Sequence, residues 1–322
     1  MTPEQGMTPG SEGRGRADTV VVVVGPTAVG KSDLGLALGQ RLRGELISAD
    51  SRQIYRYLDI GTAKPTVAER LLIPHHLVDV VTPDQEYTLA SFQGDAYRAI
   101  AGTLARGRLP LLVGGSGLYV RAVVEGLHIP RVAPQPQLRA QLEERAAGEG
   151  SAALHQQLQS LDPQAAARID PRNLRRVVRA LEVCLIAGQP FSQMRRAQPP
   201  DYEFVLIGLT CRRERLYRRI DERVDRQIAS GLVEETRWAV AQGYGFDLPA
   251  MSGLGHRQTG MYLQGKLSLA DAIEMDKHDT HRFVRQQYTW FRIDDPRIHW
   301  LDRDELGWDE LVRRAEAIVK ER

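Results

Sequence analysis

The chain has 322 residues, 42% hydrophobic and 26% charged, a composition that can build a substantial core and suits one large α/β domain carrying an insertion, or two domains. No run approaches the roughly 18 apolar residues of a membrane span, and two cysteines, Cys184 and Cys211, supply neither a disulfide framework nor a CxxC zinc pair, so a cytoplasmic, reducing setting is expected. The net charge of +2 argues neither for nor against a nucleic-acid partner.

Residues 1–18 read as a disordered tail: the first 17 hold four glycines, two prolines and no apolar stretch, unlike a signal peptide. Val20–Val24 is a β-branched run followed by a glycine turn, the pattern of a buried parallel strand. Leu34, Ala37, Leu38 and Leu42 then recur at helical spacing. Further strands are expected at Glu45–Ala49, Leu77–Val81 and Leu111–Val113, with a helix capped by Thr88 carrying Phe92, Ala96, Ala99, Ile100 and Leu104 on one face. This alternation predicts a P-loop NTPase-like parallel sheet flanked by helices, its first part over 19–129. From 130 to 200 no strand is evident, and prolines split helical segments, so an all-helical insertion is expected. Strands at Phe204–Leu209 and Ile298–Leu301 place the second part of the core, with C-terminal helices, in 201–322.

Gly25, Pro26, Thr27, Ala28, Val29, Gly30, Lys31 and Ser32 match GxxxxGK[ST] between that valine strand and an amphipathic helix. Glycines there let backbone N–H groups wrap a phosphate at a helix N-terminus. Lys31 adds a point charge, and the Ser32 hydroxyl is placed for a Mg²⁺ shared with phosphate oxygens. Nucleotide binding, ATP above all, is the default for such a loop. Yet the strand Leu111–Val113 runs into Gly114-Gly115-Ser116-Gly117 rather than a Walker-B Asp, and no guanine-reading NKxD is present. The second strand ends at Asp50, at the sheet edge where ligands lie, so its carboxylate can take a proton from a nucleophile; capping of the next helix is the competing reading.

Gly25–Ser32 followed by Glu45–Tyr55, Asp59–Pro65, Pro74–Asp79, Gly114–Tyr119, Asp170–Asn173, Arg175–Glu182 and Gly253–Arg257 closely resembles, in register from about Val20 to Trp300, the tRNA dimethylallyltransferases of bacterial type. That resemblance implies transfer of the dimethylallyl group of dimethylallyl diphosphate to N6 of the adenosine 3′ to the anticodon of tRNA, releasing diphosphate. The P-loop then holds a diphosphate leaving group, Asp50 receives the proton of the exocyclic amine, and Ser116 sits beside that amine. Arg219 and Arg223 lie one turn apart on a helix with core-spaced Leu216, Ile220 and Val224, and the family implies a diphosphate-binding arginine here. Arg223 is preferred, with a surface ion pair to Asp221 or Glu222 as the alternative.

Residues 170–226 carry 13 Arg against 8 Asp and Glu. On a helix from Asn173 to Ile186, Leu174, Val177, Leu181 and Leu185 form the expected core stripe, leaving Arg175, Arg176 and Arg179 off it. The resemblance makes this segment, Arg175-Arg176-Val177-Val178-Arg179, a tRNA contact for the anticodon stem-loop, together with Asp50, Ser51, Arg52, Gln53, Ser116 and Arg139. A solvated helix surface is the plainer reading. His75 and His76 enter a strand without a third ligand spaced to join them. No obligate protein partner is evident, and a monomer is expected. Two other functions fit parts of the pattern: a P-loop small-molecule kinase in which Asp50 activates an acceptor hydroxyl toward ATP, and a non-catalytic RNA-binding protein using the loop as an anion clamp.

Overall fold

The computed structural model describes residues 18–130, 132–193 and 197–321. Six strands lie in one all-parallel sheet in the order β3-β2-β4-β1-β5-β6: β1 (Thr19–Val24), β2 (Gly44–Ser48), β3 (His75–His76), β4 (Leu109–Val113), β5 (Glu203–Thr210) and β6 (Ile298–Asp302). The helices in chain order are α1 (Lys31–Arg41), α2 (Val67–Leu72), α3 (Leu89–Ala105), α4 (Gly117–Val124), α5 (Pro136–Glu149), α6 (Ser151–Leu161), α7 (Pro163–Ala166) and α8 (Leu174–Ala187). After β5 follow α9 (Arg213–Ala229), α10 (Leu232–Ala241), α11 (His256–Leu263), α12 (Leu269–Trp290) and, beyond β6, α13 (Trp308–Lys320). No helix among the described residues is long and apolar enough to cross a membrane.

The valine run of β1 is central because both its faces are covered. Val21 and Val23 pack with Leu34 and Leu38 of α1, Ile220 of α9 and Leu311 of α13, while Val20, Val22 and Val24 pack with Phe92 and Ile100 of α3 and Val120 of α4. All five are fully buried, each worth about 1.5–3 kcal/mol of hydrophobic stabilisation. β1 pairs with β4 through Val21–Val23 and with β5 along its whole length. Thr88 caps α3 by accepting from the Ser91 amide, as its position predicts.

The third strand differs from expectation. It is His75–His76, pairing with Leu46 and Ile47, and not Leu77–Val81. Leu77 and Asp79 have φ of +61° and +58°, which no strand allows. The turn is held there because the Asp79 carboxylate accepts from Lys64 (2.6 Å) and Arg70 (2.6 Å). His76 in turn bonds to Glu45 (2.7 Å). The tail expected over residues 1–18 lies, Asp18 apart, outside the described residues; the Asp18 carbonyl accepts from the Glu203 amide beside β1.

Helices α5–α8 enclose a core of their own, with Leu142, Leu154, Leu158, Val177 and Leu181 at its centre. On α8 the buried stripe is Val177, Val178, Ala180, Leu181 and Cys184, whereas Leu185, expected inside, is exposed. Gly188 ends the helix in a left-handed turn.

Candidate active site

Because every strand is parallel, the loops after β1, β2 and β4 meet at one edge of the sheet. The loop after β1 takes Gly25 to φ +139° and Gly30 to φ +108°, conformations closed to ordinary side chains. Gly30 caps α1 without a side chain to occupy the first-turn amides, leaving them and the helix dipole for an anion. The carbonyls of the loop are tied back. Arg219 Nε donates to Ala28 O (2.7 Å), Arg303 Nη1 to Val29 O (2.7 Å) and Lys31 Nζ to Pro26 O (2.8 Å).

Two cavities adjoin at this edge. One, of about 390 Å³, is lined by the P-loop with Ser32, Asp50, Arg219 and Arg223. The other, of about 250 Å³, is lined by Ser51, Ser116, His256, Asp276, Phe283 and Gln287 among others. Thr27, Lys31, Asp50, Gly115 and Arg223 line both. Burial pushes the Lys31 ammonium down to about 7, with Asp50 opposing and Arg223 reinforcing the shift. Burial likewise lowers Arg223, which Asp50 and Asp276 partly offset. Two desolvated cations side by side form a site that gains from a multiply charged anion. In the second cavity burial lifts Asp276 to about 6, against the pull of the Gly255 amide.

Asp50 does cap its turn, for Oδ1 accepts from the Arg52 amide (2.8 Å), yet the residue also lines both cavities. Ser116 Oγ accepts from the Ser51 amide (3.0 Å) and lies 3.4 Å from the Ser51 hydroxyl, so the loops after β2 and β4 are joined. Gln53 accepts from the Ser48 hydroxyl (2.9 Å) and donates to Ala63 O (3.1 Å). Arg52 Nη1 donates to Pro249 O (2.5 Å). The Glu235 carboxylate accepts from the amides of Asp59, Ile60 and Gly61 (2.7, 2.8 and 3.0 Å) and bonds to the buried His256 (2.9 Å). Those contacts fix the segments around Gly61 and His256 as one wall of the second cavity.

A sequence model described as "IPP transferase" matches residues 53–294. A Thermomicrobium roseum protein named tRNA dimethylallyltransferase is 51% identical over 303 residues, covering 94% of this chain and 92% of its own. Its Chloroflexus aggregans namesake is 53% identical over 293 residues, covering 91% and 99%. The chain belongs to the IPP transferase family. Among solved structures, the full-length tRNA isopentenylpyrophosphate transferase of Bacillus halodurans is similar at TM-score 0.70 and 38% identity, covering 94% of this chain and 97% of that one. A eukaryotic dimethylallyltransferase acting on tRNA superposes at TM-score 0.80 with 27% identity, covering 95% and 79%.

The fold gathers Gly25–Ser32, Asp50–Gln53, Ser116 and Arg223 at one edge, but not the other residues expected to touch tRNA. Val177 and Val178 are corrected outright: their side chains are buried in the insertion core and present no surface. Arg139 and Arg179 are both committed to the buried carboxylate of Glu182; Arg139 forks it at 2.8 and 2.9 Å, and Arg179 pairs with it and donates to Val132 O (3.0 Å). Arg175 and Arg176 are exposed, without an ion pair among the described residues. Arg219, ranked second to Arg223, faces the same cleft. Sequence reasoning passed over Arg303, Glu235, Asp276 and Gln287. One signal was available for two of them: α12 buries Ala272, Asp276, Thr280, Val284 and Gln287 at helical spacing, a core stripe that is mostly polar.

Proposed function

We propose that this protein transfers the dimethylallyl group of dimethylallyl diphosphate to N6 of the adenosine 3′ to the anticodon in tRNA. The observation that carries the reading is the pair of joined cavities, with Lys31, Asp50 and Arg223 at their shared boundary. Diphosphate occupies the P-loop cavity, held by the loop amides, Lys31, Arg223 and Arg219. The allylic carbon lies at the boundary, and the adenine, flipped out of its loop, enters from the second cavity past Ser116.

The carbon–oxygen bond breaks as N6 bonds to the allylic carbon; the electron pair leaves with diphosphate and one N6 proton passes to Asp50. Developing charge on the leaving group is met by Lys31 and Arg223. The donor set suits a magnesium that arrives with diphosphate: Ser32 offers a hydroxyl in the cleft, and no cluster of three acidic, His or Cys ligands stands among the described residues to hold a metal alone. When bound, such an ion neutralises phosphate oxygens. Arg175 and Arg176, on the exposed face of α8, meet the tRNA backbone.

Transcripts of one tRNA carrying either adenosine or guanosine 3′ to the anticodon test the site of attachment. Prenyl incorporation is expected only with adenosine. Equal incorporation into both would overturn the assignment to N6.

A further inference from the structure

Gln287 is 3% exposed and lies on the polar inner stripe of α12. Its Oε1 accepts from the Thr27 amide of the P-loop (2.8 Å), and its Nε2 donates to Gly115 O (3.0 Å), one residue before Ser116. Among the described residues it is the one side chain hydrogen-bonded to both loops. A primary amide can accept on one atom while donating from the next, which no carboxylate can do. Gly115 leaves room for it, since a Cβ there would collide with the Gln287 amide nitrogen.

We infer that Gln287 is a positioning residue that sets the separation between the diphosphate loop and the Ser116 loop, and so the reach from the leaving group to the incoming nitrogen. The inference rests on the prenyl-transfer reading. Each loop has its own local supports: Arg219 and Arg303 on the P-loop, the Ser51 amide on Ser116. Either half can therefore bind its ligand without the bridge. In-line attack, by contrast, needs both halves in register, and misplacement by about 1 Å costs on the order of 10²-fold in rate. The Thr27 amide, being occupied by Gln287, is not among the donors that wrap the phosphate.

The test compares Gln287→Met and Gln287→Ala with wild type by steady-state kinetics, varying tRNA and dimethylallyl diphosphate in turn with the other saturating. Methionine fills the volume and deletes both hydrogen bonds; alanine deletes the packing as well. Both are expected to lose kcat by on the order of 10²-fold, with each KM within about threefold of wild type. A methionine variant with wild-type kcat would reduce Gln287 to packing and overturn the inference. So would a loss lying wholly in KM, which marks a binding group. Failure of the underlying reading is separately visible, because wild type itself would then transfer nothing to tRNA.

Discussion

At Asp50 the capping contact and the proposed proton-acceptor role do not exclude each other. One oxygen caps the turn at Arg52, and the residue still borders both cavities. Asp50→Asn keeps an acceptor for the Arg52 amide, so the turn should survive. With no base for the amine proton, kcat should fall by roughly 10²–10⁴-fold. Diphosphate affinity should stay within about tenfold, since removing carboxylate–anion repulsion offsets weaker support for the Lys31 charge. Single-turnover transfer and equilibrium binding of inorganic diphosphate check both halves, and unchanged turnover would remove Asp50 as proton acceptor. Lys31 supplies a second prediction. Its free value of about 7 arises from burial, and a bound anion raises it. Above pH 7 the free site is mostly neutral at Lys31 and the bound site charged, so binding takes up a proton and weakens as pH rises. Calorimetry at pH 8 in buffers of differing ionisation enthalpy should report that uptake; no uptake would contradict it. The placing of Asp50 and Lys31 at this edge was legible, because Asp50 lies just past the end of β2 and Lys31 opens α1 behind the loop that follows β1. Gln287 was not, since its partners lie 260 and 172 residues away.

At the scale of elements, α8 shows how far a periodic pattern reaches. Helical spacing separated the arginines from the apolar stripe, but it could not reveal which of them serve a buried carboxylate. Glu182 is fully buried, and burial would raise its pKa; Arg139, the Gln135 amide and Arg179 hold it below the usual range instead. Arg179→Ala should therefore destabilise the insertion by about 1–3 kcal/mol, because a buried charge loses one of its two guanidinium partners. Denaturant unfolding measures this. Arg176→Ala should leave the unfolding midpoint in place, yet weaken tRNA binding and reduce the slope of log affinity against log salt by about one. An unaltered slope would return Arg176 to an ordinary solvated surface. The same limit explains β3. The apolar run Leu77–Val81 has strand-like composition, but the ion pairs of Asp79 with Lys64 and Arg70 fix a left-handed turn there. Those partners are set by tertiary folding, which local composition does not encode.

Across the whole molecule, the parallel sheet was legible because Val20–Val24 is apolar and β-branched at every position and is followed by a glycine turn, the pattern of a strand covered on both faces. The helical run after it was legible from prolines and the absence of strand patterning, and it carries a core of its own. What the topology adds is convergence. Three loops separated by up to about ninety residues along the chain form one boundary between two cavities because their strands, β2, β4 and β1, are adjacent and parallel. The central claim is that this boundary holds a departing diphosphate and not a nucleoside triphosphate. It is tested most directly by incubating the enzyme and unmodified tRNA with dimethylallyl diphosphate labelled separately in its allylic carbons and its phosphorus. The carbon label should enter the RNA, with an equal amount of phosphorus label released as free diphosphate. No carbon label in the RNA, with phosphate passing from ATP to a small acceptor instead, would contradict the account.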